Sequence, residues 1–130
     1  MKEAAANFGL TRIGQISINV HDVKRATAFY RDVLGLKFLF EAPNLAFFDC
    51  GGVRLMLGPP EKPEFDHPGS ILYYRVEDIQ AAYDVLRSRG VQFEGEPHLV
   101  ARMPDHELWM AFLRDLDHNL LALMSEIRRA

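Results

Sequence analysis

Between residues 14 and 38 the chain reads GQISINVHDVKRATAFYRDVLGLKF, and between residues 69 and 93 it reads GSILYYRVEDIQAAYDVLRSRGVQF. In the first stretch Ile16, Ile18 and Val20 alternate with Gln15, Ser17 and Asn19, the period of a strand with one face on a core. Asp22 then stands where a helix N-cap belongs. Val23, Ala26, Phe29, Tyr30, Val33 and Leu34 follow on one side of a helix that Gly35 can end. LKFLFE, NLAFFD and VRLMLG come next as three short strands, with CGG at 50–52 as a hairpin turn.

The second half repeats this order. SILYYRV is followed by a helix capped by Asp78, with Ile79, Ala82, Tyr83 and Leu86 on one side and Gly90 as its stop, and then by VQFEG, ELWMAFL and LLALMS. Asp78 lies 56 residues after Asp22, and that offset holds through the strand and most of the helix. The segment EGEPHLVARMPDHE at 94–107 reads as a strand, a long loop or both. The pattern is therefore βαβββ twice over.

Between the halves, PPEKPEFDHPG holds four of the seven prolines, the composition of a linker. The expected organisation is an arm over 1–11, one domain over 12–126 and a tail over 127–130. Within the domain, modules of about 12–58 and 69–126 flank a linker of about 59–68. A lone βαβββ unit leaves one sheet face bare. Two such units side by side are expected to curl their sheets around a shared cup, with the helices outside, as an α+β fold. Clefts between repeated units suit small ligands.

Composition narrows the function classes. At 130 residues the chain is one domain's worth. Its net charge is −3 and its basic residues are dispersed, so the clustered positive surface that nucleic acid requires is missing. The single cysteine, Cys50, excludes an internal disulfide, and no cluster has structural-zinc spacing. No stretch approaches the roughly 18 apolar residues of a membrane span, and the opening lacks a secretory core. The expectation is a cytoplasmic protein with a small-molecule partner, and neither nucleic acid nor membrane.

The two quoted stretches, with FLRDLDHNLLALMSE closing the second module, resemble the vicinal oxygen chelate superfamily, the glyoxalase, bleomycin-resistance and dioxygenase-like proteins. The resemblance spans about residues 12–126. It implies a glyoxalase-like fold and, in the superfamily's enzymes, one divalent metal held by His, Gln or Glu from the first and fourth strands of each module. Carried over, those positions are Gln15, about Leu55, Ile71 and Ala122. Only Gln15 has a donor atom, so no metal and no other cofactor is expected.

If Ile16, Ile18 and Val20 pack beneath the helices, Gln15, Ser17 and Asn19 point into the cup, as do Ile71, Tyr73 and Arg75 in the second module. The densest unusual chemistry is PHLVARMPDHELWMAF, where His98, Arg102, His106, Glu107 and Trp109 offer a rim that titrates, pairs charge and stacks. The candidate ligand-binding set is Gln15, Ser17, Tyr73, Arg75, His98, Arg102, His106 and Trp109. Each also has a bland reading as a solvated strand end, a surface histidine or an interface tryptophan. The leading function is a metal-free binder of a small aromatic or anionic molecule, like the bleomycin-resistance branch. The alternative is a divergent lyase, isomerase or dioxygenase, using a displaced metal on His98, His106 and Glu107 or acid–base catalysis by them. A third is an accessory or dimerisation domain whose cup is filled by its own side chains. A homodimer is expected, with the cup completed within one chain or between two.

Overall fold

The computed structural model describes residues 8–128; most of the expected N-terminal arm and the last two residues of the tail lie outside them. Two four-stranded mixed sheets form a glyoxalase-like α+β fold. The first sheet contains β1 (Gln15–Asn19), β2 (Lys37–Ala42), β3 (Leu45–Cys50) and β4 (Val53–Gly58), in spatial order β1-β4-β3-β2. The second contains β5 (Leu72–Arg75), β6 (His98–Arg102), β7 (His106–Arg114) and β8 (Leu120–Arg128), in the matching order β5-β8-β7-β6. In each sheet the first and last strands are parallel and the others antiparallel.

The crossover helices begin at near-identical caps. Asp22 accepts the Arg25 N–H at 3.1 Å before α1 (Val23–Ala28), and Asp78 accepts the Ala81 N–H at 3.0 Å before α2 (Ile79–Ser88). Each carboxylate meets an amide that a helix start would otherwise leave unpaired. Then the copies diverge. After Ala28 the first helix widens into a π-turn over Phe29–Val33, with the Leu34 N–H bonded to the Phe29 carbonyl at 2.9 Å. Gly35 and Gly90 leave the helices with φ of 79° and 88°, a conformation glycine adopts without the Cβ clash.

Ile18, Val20, Phe29, Tyr30, Phe48, Leu55 and Leu57 from the first module share one hydrophobic core with Ile79, Leu86, Val91, Leu113, Leu121 and Leu123 from the second. The core is thus built on the helix-bearing faces. Polar ties reinforce it. The Tyr30 hydroxyl donates to the Asp115 carboxylate at 2.7 Å, the Asn119 amide to the Asn19 carbonyl at 3.0 Å and the Arg89 guanidinium to the Val33 carbonyl at 2.9 Å.

Two expectations need correction. VQFEG is not a strand: Phe93 makes one isolated bridge to Leu113, and the sixth strand comes from HLVAR inside the ambiguous 94–107 segment. Gly95 and Pro97 interrupt the ladder, since proline has no N–H to give it and glycine no side chain to pack. Pairing resumes at His98 with a bulge between Leu99 and Ala101. In addition β8 runs through Arg128, because His106 and Glu107 extend its partner strand opposite Arg128 and Ile127. Among the described residues, no helix is long and apolar enough to cross a membrane.

Candidate functional site

Strand alternation gives each sheet a second face, opposite the core. On the first sheet this open face carries Gln15, Ser17, Arg54, Met56, Phe47 and Phe40. The paired registers place Gln15 opposite Arg54, Ser17 opposite Met56, Phe47 opposite Met56 and Phe40 opposite Phe47. On the second sheet it carries Tyr73, Arg75, Ala122, Met124, Phe112, Met110 and His98. The expected inward turn of Ile18 and Val20 holds, as they are 8% and 0% exposed.

On the first open face the Arg54 Nε donates to the Gln15 Oε1 at 3.0 Å, and the Gln15 amide lies 3.8 Å from the Met56 sulfur. Arg54 also stands over the Phe47 ring, 5.7 Å from its centroid, while Phe40 stacks on Phe47 at 4.6 Å. The position expected at Leu55 is displaced. Leu55 is 2% exposed and packs in the core, and its neighbours Arg54 and Met56 are the residues that share the Gln15 face. On the second open face Ala122 lies between Tyr73 and Phe112, with Ile71 38% exposed just before β5. An ion at the superfamily's metal position would meet one carbonyl oxygen already bonded to a guanidinium, a positive charge beside it, a thioether and hydrocarbon. That set does not fit a divalent cation.

The second open face is aromatic. Tyr73 meets Phe112 edge-on at 6.2 Å, and the His98 imidazole stacks on the other side of Phe112 at 6.4 Å. A carbonyl only accepts, so the 3.1 Å contact from His98 Nδ1 to the Glu96 carbonyl puts the proton on Nδ1 and leaves Nε2 as the acceptor of the neutral ring. Arg75 pairs with Glu126 at 3.1 Å, its side chain 67% exposed. His106, next to β6 at the far end of the sheet, contacts Asp105 at 2.7 Å, and that contact holds the Asp105 carboxyl below its usual range.

Six of the eight candidate residues therefore sit on open faces: Gln15 and Ser17 on the first, Tyr73, Arg75, His98 and His106 on the second. Arg102 and Trp109 do not join them. Both lie on the helix-bearing side of the second sheet, where the Arg102 guanidinium and Trp109 indole approach Glu107 at 3.6 and 3.1 Å. The candidate replacement metal set of His98, His106 and Glu107 is split between two faces. Among the described residues no group of three or more His, Cys, Asp or Glu is arranged to hold a metal. Cys50 lies on the core side, where burial pushes its thiol pKa up, away from nucleophilic use. Arg54, Phe112 and Glu126 are site residues that sequence reasoning missed. Strand alternation within VRLMLG was the available signal for Arg54.

Among the described residues no hydrogen bond, ion pair or ring contact joins one open face to the other, and Phe40 and Tyr73 are 47% and 46% exposed. Proteins similar to this chain carry different functions on one fold. The chain is 32% identical over 126 residues to the uncharacterized protein YraH of Bacillus subtilis (strain 168), covering 84% of this chain and 94% of that one. Its fold matches a lactoylglutathione lyase from Agrobacterium tumefaciens with TM-score 0.71 and 23% identity, over 90% of this chain and 95% of that one. It matches TnmS3, an antibiotic binding protein from Streptomyces sp. CB03234, with TM-score 0.74 and 22% identity, over 92% and 99%. At these identities the two structures speak for the fold alone, one being a lyase and the other a binder. Residues 12–123 match the family model of this architecture, and the chain belongs to the Glyoxalase/Bleomycin resistance protein/Dioxygenase superfamily.

Proposed function

We propose that the protein is a metal-free, cytoplasmic binder of a small planar molecule. The ligand lies between the first open face of one copy and the second open face of another, in a homodimer. The observation that carries this reading is the Arg54–Gln15 bond: a guanidinium occupies the one donor left at the superfamily's metal position. The aromatic row Tyr73–Phe112–His98 offers stacking, and the exposed phenylalanines of the first face offer a second wall. Arg75 supplies a cation for an acidic group, in competition with Glu126. The exposure of Phe40 and Tyr73 in the single chain supports completion between two copies.

A thermal-shift screen of planar aromatic acids and their neutral esters tests the reading, because a ligand of the native state raises the melting temperature by mass action. For an acid found this way, Arg75→Met should weaken binding roughly tenfold, about 1.4 kcal/mol, and leave the ester unchanged. Glu126→Gln should tighten the acid by freeing Arg75. Binding between copies is checked by mixing Arg54→Glu chains with Tyr73→Ala chains after co-refolding. Half of the sites in a mixed dimer regain both intact faces, so binding returns. No recovery on mixing would place the site within one chain.

A further inference from the structure

A second site lies on the helix-bearing side of the second sheet, and it does not depend on the reading above. Where the β5–α2 junction meets Pro97, ahead of β6, and the paired strands β7 and β8, a surface pocket of about 350 Å³ opens. That volume falls within the roughly 300–1,000 Å³ of small-molecule pockets. Its apolar walls are Pro97, Ile127 and Trp109, the one tryptophan in the chain, beside the buried Ile79. The indole is held in place, since its Nε1–H donates to the Glu107 carboxylate at 3.1 Å. Trp109 is thus a candidate residue that the open faces leave unused and this pocket takes up.

The charge lining this pocket is of one sign. Glu77 and Asp78 stand with Gln80 around it, and among the described residues no lysine, arginine or histidine lines it. The two carboxylates are not equivalent. Asp78 is spent on the start of α2, where it accepts the Ala81 N–H at 3.0 Å and its charge answers the positive end of the helix dipole. Glu77 has its backbone carbonyl fixed by the Ser125 hydroxyl at 3.1 Å, but among the described residues no hydrogen bond or ion pair engages its exposed carboxylate. The arginines of the adjoining strands are placed elsewhere. Arg102 lies 3.6 Å from Glu107, and Arg128, in register with His106, alternates to the face opposite Ile127.

We propose that this pocket binds a compact organic cation, a quaternary ammonium head, which packs on the Trp109 indole while Glu77 balances its charge. A cation over an aromatic ring is attracted by the ring's quadrupole, and tryptophan is the best such partner. The methyl groups of a quaternary head also lose water favourably against Pro97 and Ile127, which a bare metal ion cannot do. A primary ammonium brings three N–H donors that each need an acceptor, a demand one free carboxylate does not meet. The walls therefore specify the methylated head, and the unpaired carboxylate specifies its charge.

The probe is choline, set against 3,3-dimethyl-1-butanol, in which carbon replaces the charged nitrogen, and ethanolamine, its primary-amine counterpart. Because Trp109 is the one tryptophan, its fluorescence in the full-length protein reads the pocket directly. Choline should change that fluorescence saturably and bind about fivefold more tightly than the alcohol, the combined worth of an exposed cation–π contact and an exposed ion pair. Ethanolamine should bind more weakly than choline. Glu77→Gln should weaken choline about threefold and leave the alcohol unchanged. Glu77→Lys, at an exposed position, supplies the pocket with a cation of its own and should abolish choline binding without unfolding the chain. No saturable change with choline would overturn the proposal, as would an affinity matched by the uncharged alcohol or binding that Glu77→Lys leaves intact. Tighter binding of ethanolamine would overturn the quaternary head. Should Glu77→Lys lose its melting transition, Glu77→Gln decides.

Discussion

The two modules share a backbone plan and differ in almost everything that plan leaves free. Their helix caps have the same dihedral angles, φ −126° and ψ 100° at both Asp22 and Asp78, and their sheets have the same strand order. Yet the first helix ends in a π-turn while the second runs ten regular residues, and the first open face is built on a Gln–Arg pair while the second is an aromatic row. Caps and core positions fix the fold, so they stay alike in both copies. Open-face residues touch neither cap nor core and can diverge without unfolding the module.

The turns before the fourth strands differ most in energy. In the second module the 5%-exposed Asp115 carboxylate accepts from the Tyr30 hydroxyl and the Asn119 side chain, and from the Asp117 and Asn119 amides at 2.8 Å each. In the first, the hairpin rests on Gly51 and Gly52, at φ of 60° and 92° with open space around each. Asp115→Ala should therefore cost about 3 kcal/mol or more in denaturant unfolding, from at least two charge-assisted bonds lost with buried donors left behind. Gly52→Ala meets no clash and should cost about 1–2 kcal/mol of backbone strain. A reversed order would mean that the Asp115 network is not what joins the modules.

Removing the caps sharpens the likeness rather than the difference. Asp22→Ala and Asp78→Ala should each cost about 1 kcal/mol, and by similar amounts, since each removes one bond of about 3 Å to the amide three residues on. A much smaller loss at Asp22 would show that the π-turn, not the cap, holds the first helix.

The repeat, the caps and the helix stops were legible in the sequence because they depend on residues within one turn of each other. β1 was also legible, because its alternation is polar against apolar and so has a phase. β4 and β7 had a weaker one: apart from Arg54 in VRLMLG and Glu107 in ELWMAFL, both faces of each are apolar. That is why Leu55 was expected on the wrong side and Trp109 on the same side as Tyr73, while Arg102 lies beyond the bulge between Leu99 and Ala101 in β6, which local alternation does not show. The pairs Arg54–Gln15 and Arg75–Glu126 join strands distant in sequence, so no local pattern reveals them. The chelate positions without donors were visible; the guanidinium standing against the remaining one was not.

The smallest expected effect lies where the modules and the linker meet. His21 Nδ1 is 3.1 Å from Asp117 Oδ1, and His21 Nε2 is 3.1 Å from Asp66 Oδ1. A neutral imidazole has one N–H and cannot donate to both carboxylates. Its pKa is accordingly raised, first by the hydrogen bond to Asp66 and then by that carboxylate's charge. A raised folded-state pKa means that this contribution to stability is fully present below the unfolded value of about 6.5 and is lost as pH rises through the folded value. The melting temperature of the native chain should fall slightly relative to His21→Asn over that window. An unshifted His21 imidazole titration by NMR would show the joint to be open in solution.

Metal content tests the central claim most directly. The protein is treated with a chelator, dialysed, exposed to equimolar Mn²⁺, Ni²⁺ or Zn²⁺, and passed through a desalting column before elemental analysis, alongside Gln15→Ala. With Arg54 bonded to Gln15, we expect far less than one equivalent of any metal in both proteins. One tightly held equivalent in the unaltered protein that Gln15→Ala releases would contradict the metal-free reading and return the chain to its superfamily's metal chemistry.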